Sequence, residues 1–204
     1  MSTPSQRKVL LVIVDISGYT EFMVSSQTEI EHSQHIITEL IQAIIKQVQI
    51  PLEVSKLEGD AVFLYATRDS NDYKWDDVKE IIDNSLLQFF AVFHERLAQL
   101  GDHGSCHCGA CRNIGLLKLK LVAHSGDALF YRIQQFKELS GRDVILVHRL
   151  LKNSTVHDEY ILMTESAAAD ISLPSGTLLE PGREHYEHLG AIDTLVFYPF
   201  AATG

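Results

Sequence analysis

The 204-residue chain is 46% hydrophobic, enough for one well-cored globular domain and too apolar for a disordered one. Its 27 acidic and 17 basic side chains leave a formal net charge of −10, which opposes nucleic acid as a partner, because a phosphate backbone is bound by a basic stripe. No uncharged apolar run approaches the roughly 20 residues that span a bilayer, and no small-residue cleavage site follows the short apolar run near the N-terminus, so the expectation is a cytoplasmic protein without a membrane partner.

The first element is "VLLVIV", Val9–Val14, a nearly unbroken Val/Leu/Ile run that reads as a strand buried on both faces. It ends in Asp15-Ile16-Ser17-Gly18. Asp and Gly favour turns, so this stretch alone leaves turn geometry and chemistry as equal explanations for Asp15. Ile36, Ile37, Leu40, Ile41, Ile44, Ile45 and Val48 then recur at helical spacing between Thr28 and Gln49, with Pro51 as a stop.

"LEVSKLEGDAVFLYA" predicts two strands joined by a tight hairpin, with Asp60 at or just past the Glu58-Gly59-Asp60 bend. A second long helix is predicted from Trp75 to Leu100 through Val78, Ile82, Leu86, Phe89, Phe93 and Leu97. The aromatic row Phe89, Phe90 and Phe93 is read as core. After the polar insert "GDHGSCHCGACRNIG", "LLKLKLVAHSG" reads as a strand and "ALFYRIQQF" as its hairpin partner. "SGRDVILVHRLLKN" opens with a Ser-x-x-Asp helix-start signal and continues as a helix to about Asn153. "EYILMTE" is a strand, "SAAADI" a short helix and "HLGAIDTLVFYPF" a closing strand pair. The order predicts a single α+β domain over 1–204, a mostly antiparallel sheet with helices on one face.

Asp15 and Asp60 thus lie at neighbouring strand ends, where two carboxylates can share hard cations together with substrate phosphates. At this point the chain resembles a known family. "VDISGYTEFM", "KLEGDAVFLYA", "VAHSGDA" and "SGRDVILVHRLLKN" are similar, in order, to four motifs of the class III nucleotidyl cyclases, the adenylate and guanylate cyclase catalytic domains. The resemblance runs from about Val9 to Asn153, with a weaker echo to Phe200. It implies the ferredoxin-like cyclase fold, a homodimer with sites between subunits, and a nucleoside triphosphate substrate. It further implies two Mg²⁺ or Mn²⁺ ions, which stabilise attacking and leaving oxygens in an in-line displacement.

Carried over residue by residue, Asp15 and Asp60 match the metal-binding aspartates, and the Ile16 carbonyl matches a backbone ligand. Lys56 matches a base-contacting lysine, with a solvated hairpin lysine as the plain alternative. Glu138 falls where the base-selecting residue stands. Arg149 matches the arginine that stabilises charge at the reacting phosphate, with a helix-surface ion pair as its alternative. His124, in "H-x-G", is read as structural. Two departures stand out: Ile145 occupies the place of a transition-state asparagine, and the triphosphate-binding lysine would fall near Ala191, with no lysine after Lys152. Arg183, His185 and His188, or Arg142 and Lys152, are the available substitutes. A cyclase, a weakened cyclase-fold module that binds nucleotide or a protein partner, and other phosphoryl chemistry on the same metal pair all remain open.

The three cysteines fall together in the insert at about 101–114. Cys106-x-Cys108-x-x-Cys111 offers three thiolates, where tetrahedral Zn²⁺ takes four S or N ligands. His103, His107 and His94 are the candidates for the fourth ligand of a structural zinc, although His94, on a helix beside Phe90 and Phe93, reads rather as a packed or surface histidine; free or redox-active thiols are the alternative to zinc.

Overall fold

The computed structural model describes residues 4–102, 106, 108–174 and 176–200. The chain forms β1 (Ser5–Ser17), α1 (Tyr19–Ser25), α2 (Ile30–Lys46), β2 (Glu53–Glu58), β3 (Ala61–Thr67), α3 (Trp75–Gly101), α4 (Gly109–Asn113), β4 (Lys118–Ile133), β5 (Phe136–Ser140), α5 (Arg142–Leu150), β6 (Tyr160–Thr164), α6 (Glu165–Ala168), β7 (Glu180–Tyr186) and β8 (Gly190–Phe197). Short 3₁₀ turns at Gln27–Glu29 and Ile114–Leu116 precede α2 and β4. Among the described residues, no helix is long and apolar enough to cross a membrane.

The sheet runs β2-β3-β1-β4-β6-β8-β7, and β5 pairs with β4. Every pairing is antiparallel except β4 with β6. The α+β class and the mostly antiparallel sheet therefore agree with the sequence reading. β1 is central, which explains its unbroken apolar run: alternate residues point to opposite faces, and both faces are covered. Leu10, Val12, Val14 and Ile16 join a core with Phe22 of α1, Ile37, Leu40 and Ile44 of α2, and Phe89 and Phe93 of α3. Val9, Leu11 and Ile13 face the other way, against Val144, Val147 and Leu150 of α5. Helices thus lie on both faces rather than one, and this difference matters because Asp15 continues the odd-numbered row toward the α5 side.

Three local readings change. "ALFYRI" is not a hairpin partner but the second half of β4, because Ser5–Lys8 of β1 extend the ladder through Phe130; the true partner is the short β5. The closing strand pair is β7 with β8, so its first strand lies in "EPGREHY", before the segment expected to supply both. The start of α5 carries no capping box: Gly141 occupies the N-cap without a side-chain hydrogen bond, and the Asp143 carboxylate instead accepts from the Asp127 amide at 2.7 Å.

Candidate functional site

Asp15 stands opposite Ala61 of β3 and Lys120 of β4. Asp60 sits with Gly59 in the two-residue bend between β2 and β3, where Gly59 takes φ of 71°, a conformation that glycine adopts without cost. The Ile16 amide donates to the Asp60 carbonyl at 3.3 Å, so the strand end and the bend are tied together by the backbone itself. Burial, and then the neighbouring Asp15 charge, push the Asp60 carboxyl up to about 6. Two carboxylates crowded this way disfavour joint ionisation, and the residues present fit a divalent cation, which relieves that repulsion. Lys120 is ion-paired with Asp15, its Nζ 3.1 Å from Asp15 Oδ2.

A second cluster lies under α5. Lys56, Glu58, Val144, Ile145, His148, Arg149 and Lys152 line a cavity of about 420 Å³. Lys56 Nζ is 3.2 Å from Glu58 Oε1, and His148 Nε2 is 3.1 Å from Glu58 Oε2 while its Nδ1 meets the Val144 carbonyl oxygen at 2.7 Å. Glu58 is therefore held from both sides. The structure brings Lys56, Ile145 and Arg149 together at this cavity, whose described lining contains neither Asp15 nor Asp60. Glu138, on β5 opposite Tyr131, lines a separate cavity with Arg7, Tyr65 and Phe130.

Where a lysine would be expected, Ala191, the second residue of β8, stands opposite His185. Arg183 is engaged with Asp193 at 3.4 Å. Arg142 reaches the same end of the sheet, donating to the Leu189 carbonyl at 3.4 Å. His124 is buried, with 7% exposure; burial lowers its pKa. Its Nδ1 lies 2.9 Å from Thr164 Oγ1 and its Nε2 3.4 Å from Asp143 Oδ1. A Cβ at Gly126 would collide with that Asp143 carboxylate, which gives the H-x-G spacing a packing role.

The cysteine insert differs from expectation in its fourth member. Cys106, Cys108 and Cys111 converge on His32 of α2, with all four ligand atoms within 4.8 Å of one another, a group able to hold a metal ion. His94 is committed elsewhere, 2.7 Å from Glu159 and edge-on to Phe200. His103 and His107 lie outside the described residues. Burial would raise the Cys108 thiol, but the Cys111 amide and the neighbouring thiols and His32 outweigh it and lower it to about 7.

Sequence reasoning missed Lys120, Glu58, His148 and His32. Lys120 and Glu58 alternate with apolar neighbours like ordinary solvent-facing strand residues, and His148 lies on the helix beside Arg149, so only its place in "VILVHRLL" marked it. His32 carried no local signal.

The fold is the one seen in solved adenylyl and guanylyl cyclase domains. The chain aligns with the guanylyl cyclase Cya2 at a TM-score of 0.73 and 10% identity, over 96% of this chain and 94% of that one. It aligns with the adenylyl cyclase CyaB from P. aeruginosa at 0.66 and 14%, over 96% of each chain. A rhodopsin-guanylyl cyclase catalytic core of converted specificity, in complex with ATPalphaS, matches at 0.66 and 14%, over 96% of this chain and 98% of that one. At these identities the likeness is one of fold. In sequence, the chain belongs to the family described as "Protein of unknown function (DUF2652)", whose model matches residues 37–160. It is 29% identical over 158 residues to the uncharacterized protein Rv2561/Rv2562 of Mycobacterium tuberculosis, covering 78% of this chain and 71% of that protein.

Proposed function

We propose that the protein is a homodimeric, metal-dependent nucleotidyl cyclase that converts a nucleoside triphosphate to a 3′,5′-cyclic nucleotide and pyrophosphate. The observation that carries this reading is the Asp15–Asp60 pair at one strand end and the adjoining bend, cross-linked by the Ile16 amide, in a chain that follows the cyclase fold over 96% of its length. Asp15, Asp60 and the Ile16 carbonyl would hold two Mg²⁺ or Mn²⁺ ions, which when bound activate the ribose 3′-hydroxyl and neutralise the leaving pyrophosphate. Arg149 supplies positive charge at the reacting phosphate, Lys56 contacts the base from the same cavity, and Arg142 supplies a guanidinium near the place of the absent late lysine.

A homodimer suits this division, because the Lys56–Arg149 cavity and the aspartate pair are separate within one chain and complete each other across an interface. Exposed apolar side chains on β2 (Val54, Leu57), on the β4–β5 hairpin (Ile133, Phe136) and on α5 (Ile145) offer a surface for that contact. A second reading, a weakened cyclase-fold module that binds nucleotide or a partner, is favoured by Ile145 in the donor position and by Lys120 engaging Asp15. Removing one preorganised donor costs about 10²–10³ in rate, which slows a cyclase without abolishing it.

Incubating the protein with ATP, GTP, CTP or UTP plus Mn²⁺, with chromatographic product analysis, separates the two. A cyclic nucleotide that disappears in Asp15→Ala and Asp60→Ala is the expected result. Nucleotide binding by the folded protein without any product would favour the regulatory module.

A further inference from the structure

The cysteine insert and α2 meet at one point away from the aspartate pair. His32 stands in the first turn of α2. Its Nδ1 lies 3.2 Å from Cys108 Sγ and 3.9 Å from Cys106 Sγ, and its Nε2 lies 4.0 Å from Cys111 Sγ. Zinc bonds of about 2.3 Å to sulfur and about 2.0–2.1 Å to nitrogen set tetrahedral edges of roughly 3.4–3.8 Å. With one ligand atom from each residue, all four lie within 4.8 Å of one another, so shifts of up to about 1 Å close them around a single ion bound by one imidazole nitrogen, and the group is too tight to surround an iron–sulfur core. Soft thiolates with one imidazole suit zinc. The Cys111 amide also donates to Cys108 Sγ at 3.4 Å, an N–H···S bond that favours the thiolate a metal requires. Four protein ligands leave no open position, so the site is structural rather than catalytic.

Its location gives it a second consequence. The segment that leaves the Asp15 strand end is stitched to the insert along its length. Gly18, three residues past Asp15, has φ of 79°, and a Cβ there would collide with the Leu116 carbonyl oxygen. Asn113 Nδ2 donates to Ser25 Oγ at 3.1 Å. A Cβ at Gly109 would come within 3.1 Å of Glu29 Oε2, so the missing side chain lets α4 press onto the 3₁₀ turn. His32 closes this series of contacts.

We propose that Cys106, Cys108, Cys111 and His32 bind one structural Zn²⁺, and that the ion clamps residues 18–32, and with them the exit of the Asp15 strand, to the insert. Binding exchanges thiol protons for the metal and needs no oxidant or reductant. The inference concerns metal content and local order, so it stands or falls separately from the cyclase reading.

The test begins with zinc analysis of the purified full chain, where about one equivalent per chain is expected. Co²⁺ added to the reduced, zinc-stripped protein is expected to give the visible bands of a tetrahedral ion with thiolate charge transfer. His32→Cys should keep one equivalent and raise the charge-transfer intensity by about a third, as three thiolates become four, whereas His32→Ala should weaken Co²⁺ binding at least about tenfold. Because His32→Cys preserves a four-ligand site, it keeps the test meaningful if His32→Ala folds poorly. Absence of zinc together with absence of a tetrahedral Co²⁺ spectrum would overturn the proposal, as would a His32→Cys spectrum identical to that of the parent. Amide hydrogen exchange of residues 18–32 should be slower with zinc than without; equal exchange would overturn the clamp.

Discussion

Lys120 and Asp15 face each other across the β4–β1 ladder, with Nζ 3.1 Å from Oδ2 and both side chains largely withdrawn from solvent, at 20% and 15% exposure. A lysine ammonium therefore occupies the surroundings of the carboxylate that the cyclase reading assigns to a metal. Tyr160 of β6 flanks it in register, so the ammonium sits inside the sheet's rim rather than on open surface.

Lys120→Met keeps the aliphatic stem and removes the charge. Without metal, Asp15 and Asp60 then lose their internal counterion, and a loss of about 1–3 kcal/mol is expected, below the about 3–5 kcal/mol of a fully buried broken pair. With Mn²⁺ the competing ammonium is gone, so the Mn²⁺-induced rise in Tm should exceed that of the parent. Differential scanning fluorimetry with and without Mn²⁺ reads both effects; an equal rise in the two proteins would remove Lys120 from competition with metal.

Ile145 is 54% exposed on α5, beside Arg149 at the same cavity. Ile145→Asn therefore touches no core and should change stability by no more than about 0.5–1 kcal/mol. It returns a hydrogen-bond donor one helical turn before Arg149. Given measurable cyclase activity in the parent, kcat should rise at least about tenfold, within the span that one oxyanion donor commands. An unchanged kcat with unchanged KM would show that the donor position is not used.

Gly18→Ala tests the junction behind Asp15. The left-handed backbone and the collision with the Leu116 carbonyl act together, each costing on the order of 1–3 kcal/mol. A drop of about 2–4 kcal/mol in urea unfolding is expected, with the urea slope unchanged.

Asp83 of α3 is buried at 8% exposure and accepts from the Ser172 amide at 2.9 Å. Burial, only partly offset by that amide, raises its carboxyl to about 6 from an ordinary 3.8. Between these values the folded state binds more protons than the unfolded one, so this group makes stability fall as pH rises from about 4 to 6. Asp83→Asn keeps the acceptor oxygen and removes the charge. Its Tm should exceed the parent's by about 2–4 °C at pH 7.5, which corresponds to about 1 kcal/mol in a chain of this size. The gain should vanish below about pH 3, where the parent carboxyl is protonated in both states; a gain independent of pH would point to packing instead.

What the sequence determined by itself is what short-range pattern encodes. The run Val9–Val14 announces a strand covered on both sides with Asp15 at its end, and the KLEGD stretch announces a hairpin bend that carries Asp60; the pairing of β3 with β1, which sets the two carboxylates at adjoining ends, came from the tertiary structure. The spacing of Cys106, Cys108 and Cys111 likewise announces a convergent thiol cluster. The tertiary structure decided the partners that arrive from far along the chain. His32 lies 74 residues from Cys106 on a helix whose own pattern records only its apolar face. Lys120 reads as an ordinary alternating strand lysine until ladder register sets it against Asp15. "HSGDA" has the composition of a turn, yet it continues as strand because the long N-terminal arm of β1 supplies hydrogen-bond partners for it. The amphipathic period of α5 says that one side is buried but not which face of the sheet buries it. Strand alternation and helix period are properties of a few consecutive residues, whereas register, sheet face and metal-ligand convergence depend on how distant segments pack.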